Sequence, residues 1–229
     1  MKVLIVLIVL LLGLGVAADR VAVNVAENQV STRLGDSGAL HGRPAVDITG
    51  FPFLTQAFAG NYEDVRISIT AHDLGQPAGT RADVRLHGVH VPLKSVLSGS
   101  VSEVPVDRID GTATLSYELL AAQLGGDTTL RREGDGLRIT KTVEIAGYTL
   151  PLTAAGTVTL DGDDLVVDVQ KASGAGVDVP GVLVDRVSDL LDLRYTVPAL
   201  PFGLQLTSVQ PADDGVRIGV AAKDTVLRG

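Results

Sequence analysis

Alternation between apolar and polar residues is the sequence feature that most restricts the fold of this chain. In residues 64–70, valine and isoleucine alternate with aspartate, arginine, serine and threonine. The same alternation recurs in 83–87, 137–145, 165–169 and 216–220. Successive side chains of a strand point to opposite faces, so each segment predicts a strand with one apolar and one polar face. Such strands are typical of an antiparallel sheet with one face in water, and we predict about nine of them.

Turn signals fall between these segments. Asp-Gly pairs occur at 110–111, 135–136, 161–162 and 214–215. Asp-Gly suits the tight turns of β-hairpins, because glycine adopts a positive φ at no steric cost. We therefore predict antiparallel hairpins at all four places.

Three segments predict helices. In residues 19–34, Ala22, Ala26, Val30 and Leu34 fall on one stripe, although the alternating valines at 21, 23 and 25 leave a strand open. A short helix is predicted over 116–124, before a Gly-Gly pair. The strongest pattern covers 180–193, where proline suits the first turn and apolar residues follow at helical spacing.

The N-terminus predicts export from the cytoplasm. Lys2 precedes an uncharged run from Val3 to Ala18 that ends in small residues. As a helix this run spans ~24 Å, somewhat short of a ~30 Å hydrocarbon core. Residues 1–18 are therefore either a signal peptide or an N-terminal membrane anchor, and 19–229 are expected to form a single domain outside the cytoplasmic membrane.

Composition and motifs exclude several classes of function. The formal net charge of −8 argues against nucleic acid as a partner, and the absence of cysteine excludes disulfides and thiolate metal sites. His87 and His90 lie three apart in a predicted strand, so they point to opposite faces and are poorly placed to share a metal. We find no nucleophile elbow and no metalloprotease motif, and we expect no catalytic residue, no metal and no cofactor.

Aromatic carbon is concentrated in one stretch. Three of the four Phe residues lie at 51, 53 and 58. Pro52 fixes its own φ and favours an extended Phe51, so we predict a stiff, non-helical segment. The rings then either fill the core at the end of a strand or line an apolar ligand site.

The same stretch carries a family resemblance. Gly50-Phe51-Pro52-Phe53-Leu54-Thr55-Gln56, followed by Gly60, Tyr62, Val65 and Ile67, resembles the actinobacterial LmeA-like phospholipid-binding family. Residues 22–34 and 200–203 are similar to it as well. The resemblance implies an α+β fold in which a long curved antiparallel β-sheet wraps around two or three helices and leaves an apolar groove. This architecture is similar to the tubular lipid-binding fold of bactericidal-permeability-increasing-type proteins.

The resemblance also implies a function. It points to a non-enzymatic protein of the cell envelope that binds phospholipid, phosphatidylinositol among the candidates, at the outer face of the cytoplasmic membrane. Its role would be the maintenance or transport of envelope lipids or lipoglycans. Two alternatives stay open from the residues alone: a hydrolase acting on envelope lipids or glycans, and a ligand-free structural β-rich module.

The expected lipid contacts combine the Phe stretch with the apolar stripe of 180–193 and the apolar run near residue 200. The residues expected to line or gate the groove are Phe51, Phe53, Leu54, Phe58, Leu183, Val187, Leu190, Leu191, Leu200 and Phe202. Arg66 and Arg85 are the candidates for contact with a lipid head group.

Overall fold

The computed structural model describes residues 2–38, 40–125, 127–145, 148–162, 164–174, 177–178, 193–196 and 203–228. Over these residues the protein is α+β, with antiparallel sheets and a few helices, which confirms the predicted class. The described helices are α1 Lys2–Asp36, α2 Phe53–Ala59, α3 Ala71–Leu74, α4 Leu93–Ser98 and α5 Tyr117–Leu124.

The described strands belong to two sheets. They are β1 Ala45–Thr49, β2 Asn61–Ile69, β3 Arg81–His90, β4 Glu103–Ser116, β5 Thr128–Glu133, β6 Gly136–Ile145, β7 Tyr148–Asp161, β8 Asp164–Gly174, β9 Val177–Asp178, β10 Leu193–Thr196, β11 Gln205–Ala212 and β12 Gly215–Arg228. One sheet has the order β1-β2-β3-β4-β12-β11, and the other has the order β10-β8-β7-β6-β5 with β9 paired to β8. We expected a single sheet, but the described strands form two. Strand β12 pairs with the strands that precede residue 117, whereas β5 to β10 pair with one another.

The five alternating segments lie in β2, β3, β6, β8 and β12, except that Thr70 follows the end of β2. Three of the four predicted turns are confirmed, at the β5–β6, β7–β8 and β11–β12 hairpins. The turn predicted at 110–111 is wrong, since both residues continue β4. Residues 180–192 of the predicted helix lie outside the described residues, and the last predicted position, Leu193, begins β10.

The chain divides into two compact units. Unit 1 consists of Met1–Ile69, Asp83–Asp110 and Ala222–Gly229. Its buried apolar side chains come from α1, α2 and the strands, among them Val23, Phe53, Val65 and Val106. Since α1 and α2 supply two of these, helix and sheet share one core.

Unit 2 consists of Thr70–Ala82 and Gly111–Ala221. Its core gathers buried side chains from five strands: Leu130, Leu137, Ile139, Ala154, Leu165, Val167, Val216 and Ile218. Helix α5 packs against this cluster through Tyr117 and Leu120. The Ser116 hydroxyl accepts a hydrogen bond from Leu119 N–H at 3.2 Å and begins the helix, which confirms the short helix predicted here.

Candidate functional site

Helix α1 consists of two parts with different surroundings. Between Val3 and Val16 the large apolar side chains are exposed. By length and composition α1 is able to cross a membrane, a property that N-terminal signal sequences share. From Asp19 onward the same helix packs against β1 and α2. This confirms the helix predicted over 19–34 and rules out the alternative strand.

Three polar side chains attach the second part of α1 to neighbouring backbone. Glu27 Oε1 accepts a hydrogen bond from Ile48 N–H of β1 at 2.9 Å. The Ser31 hydroxyl donates to the Pro44 carbonyl at 2.6 Å. Asp19 makes the third attachment. Spacings of eight and four residues place these side chains on one face of the helix, so α1 is fixed along its length from Asp19 to Ser31.

Asp19 caps α2 from outside that helix. Pro52 occupies the N-cap position of α2 and supplies no side-chain cap. Instead, Asp19 Oδ1 accepts a hydrogen bond from Leu54 N–H at 2.8 Å, while Asp19 Oδ2 accepts one from Arg20 at 2.5 Å. Burial disfavours the charged carboxylate and is the largest single influence on its pKa. The Leu54 N–H, the Arg20 guanidinium and the Phe53 N–H together still hold the pKa of Asp19 below its ordinary value.

The prediction of a non-helical segment after Pro52 is therefore wrong, since α2 begins at Phe53. Proline is tolerated at the start of a helix because its missing N–H has no partner there in any case. The free N–H groups of the first turn then need an acceptor. Asp19 supplies it from a position distant in sequence.

Gln56 attaches α2 to both β1 and β2. Its buried side-chain amide donates to the Thr49 carbonyl at 3.2 Å and accepts from Glu63 N–H at 2.9 Å. A side chain at Gly50 (φ 101°) would collide with this amide, and Gly60 (φ 67°) ends the helix in the left-handed region. The glycines and the glutamine of the stretch thus serve to place α2.

The four predicted contacts within residues 51–58 differ in their exposure to solvent. Phe53 is 5% exposed, with its ring 6.0 Å from that of Tyr62, whose pKa is raised by burial. Leu54 is half-buried. Phe51 and Phe58 are 63% and 78% exposed. The other six predicted contacts, Leu183, Val187, Leu190, Leu191, Leu200 and Phe202, lie outside the residues that the structure describes.

Arg20 lies beside Phe51, and helix α4 lies beside α2. The Arg20 guanidinium lies 5.2 Å from the centre of the Phe51 ring, a cation–π arrangement. Helix α4 packs against α2, and Val91 N–H donates to the Gly60 carbonyl at 2.9 Å just before α4 begins. On α4, Lys94 and Val96 are exposed. Arg20, Lys94 and Val96 escaped the sequence analysis, because no local pattern connects them with the Phe stretch.

Charged pairs link β2, β3 and β4. Arg85 Nε lies 3.6 Å from Asp64 Oδ2, and His87 Nε2 lies 3.3 Å from Asp110 Oδ2. His90 bonds a different carboxylate, that of Asp107. Asp64 Oδ1 is buried and accepts no hydrogen bond. Arg85 is thus engaged with an acidic neighbour, and across the described ranges no three acidic or histidine side chains are arranged to hold a metal ion.

Comparison with known proteins gives the family. The model of the LmeA-like phospholipid-binding family matches residues 17–221. Neither the curated proteins nor the solved structures include a match to the chain. The match begins just before Asp19 and extends from the second part of α1 to the middle of the last strand. This chain belongs to the LmeA-like phospholipid-binding family.

Proposed function

We propose that this protein is a non-enzymatic phospholipid-binding protein of an actinobacterial cell envelope. The observation that carries the proposal is the family match over residues 17–221. Residues 1–18 serve as signal peptide or anchor, and 19–229 act as one lipid-binding domain outside the cytoplasmic membrane. The ligand is a phospholipid, with phosphatidylinositol the first to test, and the role is maintenance or transport of envelope lipids or lipoglycans.

Acyl chains are held by an apolar groove in this proposal. The proposed contacts are the residues predicted from the sequence except Phe53, whose ring is buried against Tyr62. Phe51 and Phe58 are assigned to the mouth of the groove, and Leu183, Val187, Leu190 and Leu191 to the helix predicted over 180–193. Two of the four phenylalanines of the chain, Phe51 and Phe58, are exposed. This supports their assignment to the mouth of the groove, since exposed apolar surface marks sites of interaction. One acyl chain of about sixteen carbons would contribute on the order of 10 kcal/mol before the costs of binding.

Photo-crosslinking of the full-length protein tests the proposal. The chain is reconstituted into phosphatidylcholine vesicles that contain a phosphatidylinositol with a photoreactive group at the end of one acyl chain. After irradiation, crosslinked peptides are identified by mass spectrometry. We expect crosslinks within residues 51–58 and 183–202, in addition to those of the apolar segment 3–18.

The position of the crosslinks decides the outcome. Crosslinks confined to residues 3–18 would show a protein that is merely anchored in the bilayer and would contradict acyl binding by the domain. A photoreactive phosphatidylcholine serves as the matched probe, since equal labelling by both lipids would contradict a preference for inositol. Release of free fatty acid or lysolipid during incubation would instead support the hydrolase alternative.

A further inference from the structure

We propose that the junction of α1 and α2 docks onto the bilayer surface, with Phe51, Phe58 and Val96 in the interfacial zone and Arg20 and Lys94 at the lipid phosphates. These five residues are called the junction surface below. The inference rests on the proposed location at the outer face of the cytoplasmic membrane, in the form that retains residues 3–18. It adds the surface through which the domain meets phospholipid.

The first argument is continuity with the apolar segment. Within one unbroken helix, the exposed uncharged residues from Val3 to Ala18 lead directly into Asp19, the first charged residue after Lys2. A segment led by Lys2 that crosses a bilayer leaves the lysine inside, so Asp19 lies where the chain emerges on the outer side. The bilayer is therefore the occupant that the helix itself brings to this surface.

The second argument is the rigid connection between that exit point and α2. Asp19 Oδ1 lies 2.8 Å from Leu54 N, in the first turn of α2. Arg20 places its guanidinium over Phe51. Because α2 is also fixed by Gln56 to β1 and β2, it cannot move far from the exit point without breaking hydrogen bonds. The first turn of α2 is thus held at the depth at which α1 leaves the hydrocarbon.

The third argument is the chemistry of the exposed side chains. Helix α2 contains no charged residue, and its Phe58 ring is among the most exposed apolar groups outside α1. Arg20, which lies against the Phe51 ring, and Lys94, on the helix that packs against α2, are exposed bases. Arginine and lysine pair with phosphate oxygens, while the rings gain by leaving water. With a net charge of −8, the whole chain is not attracted to anionic lipid, so docking depends on this local set.

Spin labels measure the depth of the junction surface directly. The chain has no cysteine, so Phe51→Cys, Phe58→Cys and Val96→Cys each introduce a single site for a nitroxide. Ala45→Cys is the matched control, because Ala45 is exposed at the end of β1 farthest from α2 along the strand. The full-length variants are reconstituted into vesicles of phosphatidylcholine and phosphatidylglycerol, after circular dichroism has confirmed unchanged folding.

Collision rates with oxygen and with a water-soluble nickel chelate give the result. We expect oxygen collisions to exceed nickel collisions at positions 51, 58 and 96, and the reverse at Ala45. Equal accessibility to nickel at all four positions would place the junction surface in water and overturn the proposal. Protection of 51 and 58 from both reagents would show that a protein covers them, which overturns a lipid occupant as well.

A double variant tests the basic residues. When Arg20→Gln and Lys94→Gln are combined in the Phe58→Cys protein, the depth of the label at position 58 should not depend on the phosphatidylglycerol content. In the Phe58→Cys protein that keeps both basic residues, the label should lie deeper as that content rises.

Failure of docking is distinguishable from failure of the proposed function. Crosslinks within 183–202 beside a water-exposed junction surface would remove only the docking inference. An immersed junction surface without crosslinks in the domain would remove only the acyl groove.

Discussion

Asp19 and Leu54 are joined by a hydrogen bond of 2.8 Å from the Leu54 backbone N–H to Asp19 Oδ1. The donor is in the first turn of α2 and the acceptor is in α1, so one helix is capped by another. Asp19 is also the first charged residue after the exposed apolar segment. A single carboxylate thus connects the exposed apolar segment to the aromatic stretch that the family resemblance rests on.

Removal of this carboxylate should loosen α2. In Asp19→Ala the N–H groups of the first turn lose their acceptor, since Pro52 offers none. Loss of a helix cap usually costs about 1 kcal/mol, which lowers the midpoint of thermal unfolding by about 2–4 °C for a chain of this size. Thermal unfolding followed by circular dichroism measures it. Asp36→Asn, at an exposed position of the same helix, is the control, and an equal shift in both variants would contradict the capping role.

The capping of α2 also shows where sequence reasoning reaches its limit. The absence of Ser, Thr, Asp or Asn from positions 50–52 removes the local signal for a helix start. The missing acceptor is supplied from residue 19, and no pattern within 50–60 reveals that pairing. One indirect signal is the position of Asp19 directly after an apolar segment, because a carboxylate beside apolar residues needs a hydrogen-bond donor.

Gln56 is expected to be the most sensitive polar residue of α2. In Gln56→Leu, the Thr49 carbonyl and the Glu63 N–H lose their partly buried partner. An unsatisfied buried group costs about 1–3 kcal/mol, and because these two groups are only partly buried the free energy of unfolding should fall by about 1 kcal/mol. Urea titration measures it. Gln29→Leu, at an exposed position of α1, should change stability by less than about 0.5 kcal/mol. Similar losses in both variants would disprove the bridging role.

The two phenylalanines of α2 should behave oppositely when they are truncated. Phe53→Ala removes a buried ring that contacts Tyr62 and should cost about 3–5 kcal/mol of unfolding free energy. Phe58→Ala removes an exposed ring, and we expect a change within about 0.5 kcal/mol. Denaturant unfolding of both variants in detergent-free buffer checks the contrast. A large loss for Phe58→Ala would show that its ring is part of the core.

Strand prediction succeeded where the information was local. Val65 and Ile67 alternate with polar neighbours because β2 has one covered face, and Leu137 and Ile139 do the same in β6. The error at Asp110-Gly111 is instructive, because the pair fits a turn but continues β4. Which strands pair is decided by contacts between distant residues, so the division into two sheets was not available from alternation.

Stability should depend on pH through Asp73. The Thr70 hydroxyl and the Thr70 backbone N–H both donate to the Asp73 carboxylate, and these bonds lower the pKa of Asp73 in the folded protein against the opposing effect of burial. A depressed folded pKa stabilises the protein above the unfolded value of about 3.9, and this contribution is lost as pH falls through the folded pKa. The difference in stability between the parent and Asp73→Asn should therefore be full above about pH 5 and shrink below about pH 4.

Urea titrations at several pH values check this dependence. Thr70→Ser keeps the hydroxyl and should keep the pH dependence, whereas Thr70→Val removes the donor and should reduce it. A difference between parent and Asp73→Asn that is the same near pH 7 and near pH 3 would show that the hydrogen bonds from Thr70 to Asp73 do not control this titration.

The acyl groove is tested most sharply at Leu190. A carboxylate in contact with an acyl chain would be left without water or a partner, so Leu190→Asp should lower crosslinking of the photoreactive phosphatidylinositol to the domain by about tenfold or more. Labelling of residues 3–18 in the same sample provides the internal reference. It should stay constant, because in the proposal that segment contacts the bilayer independently of the groove.

Two further variants separate a lipid contact from an ordinary core position. Leu190→Met preserves volume and apolar character, and it should retain crosslinking if contact with the acyl chain is what matters. Asp189→Asn changes the neighbouring charge and should leave crosslinking unaltered. If Leu190→Asp lowers the thermal midpoint of the domain as strongly as Phe53→Ala does, Leu190 belongs to the core. If crosslinking falls while the midpoint stays within about 2–4 °C of the parent, its side chain faces the lipid.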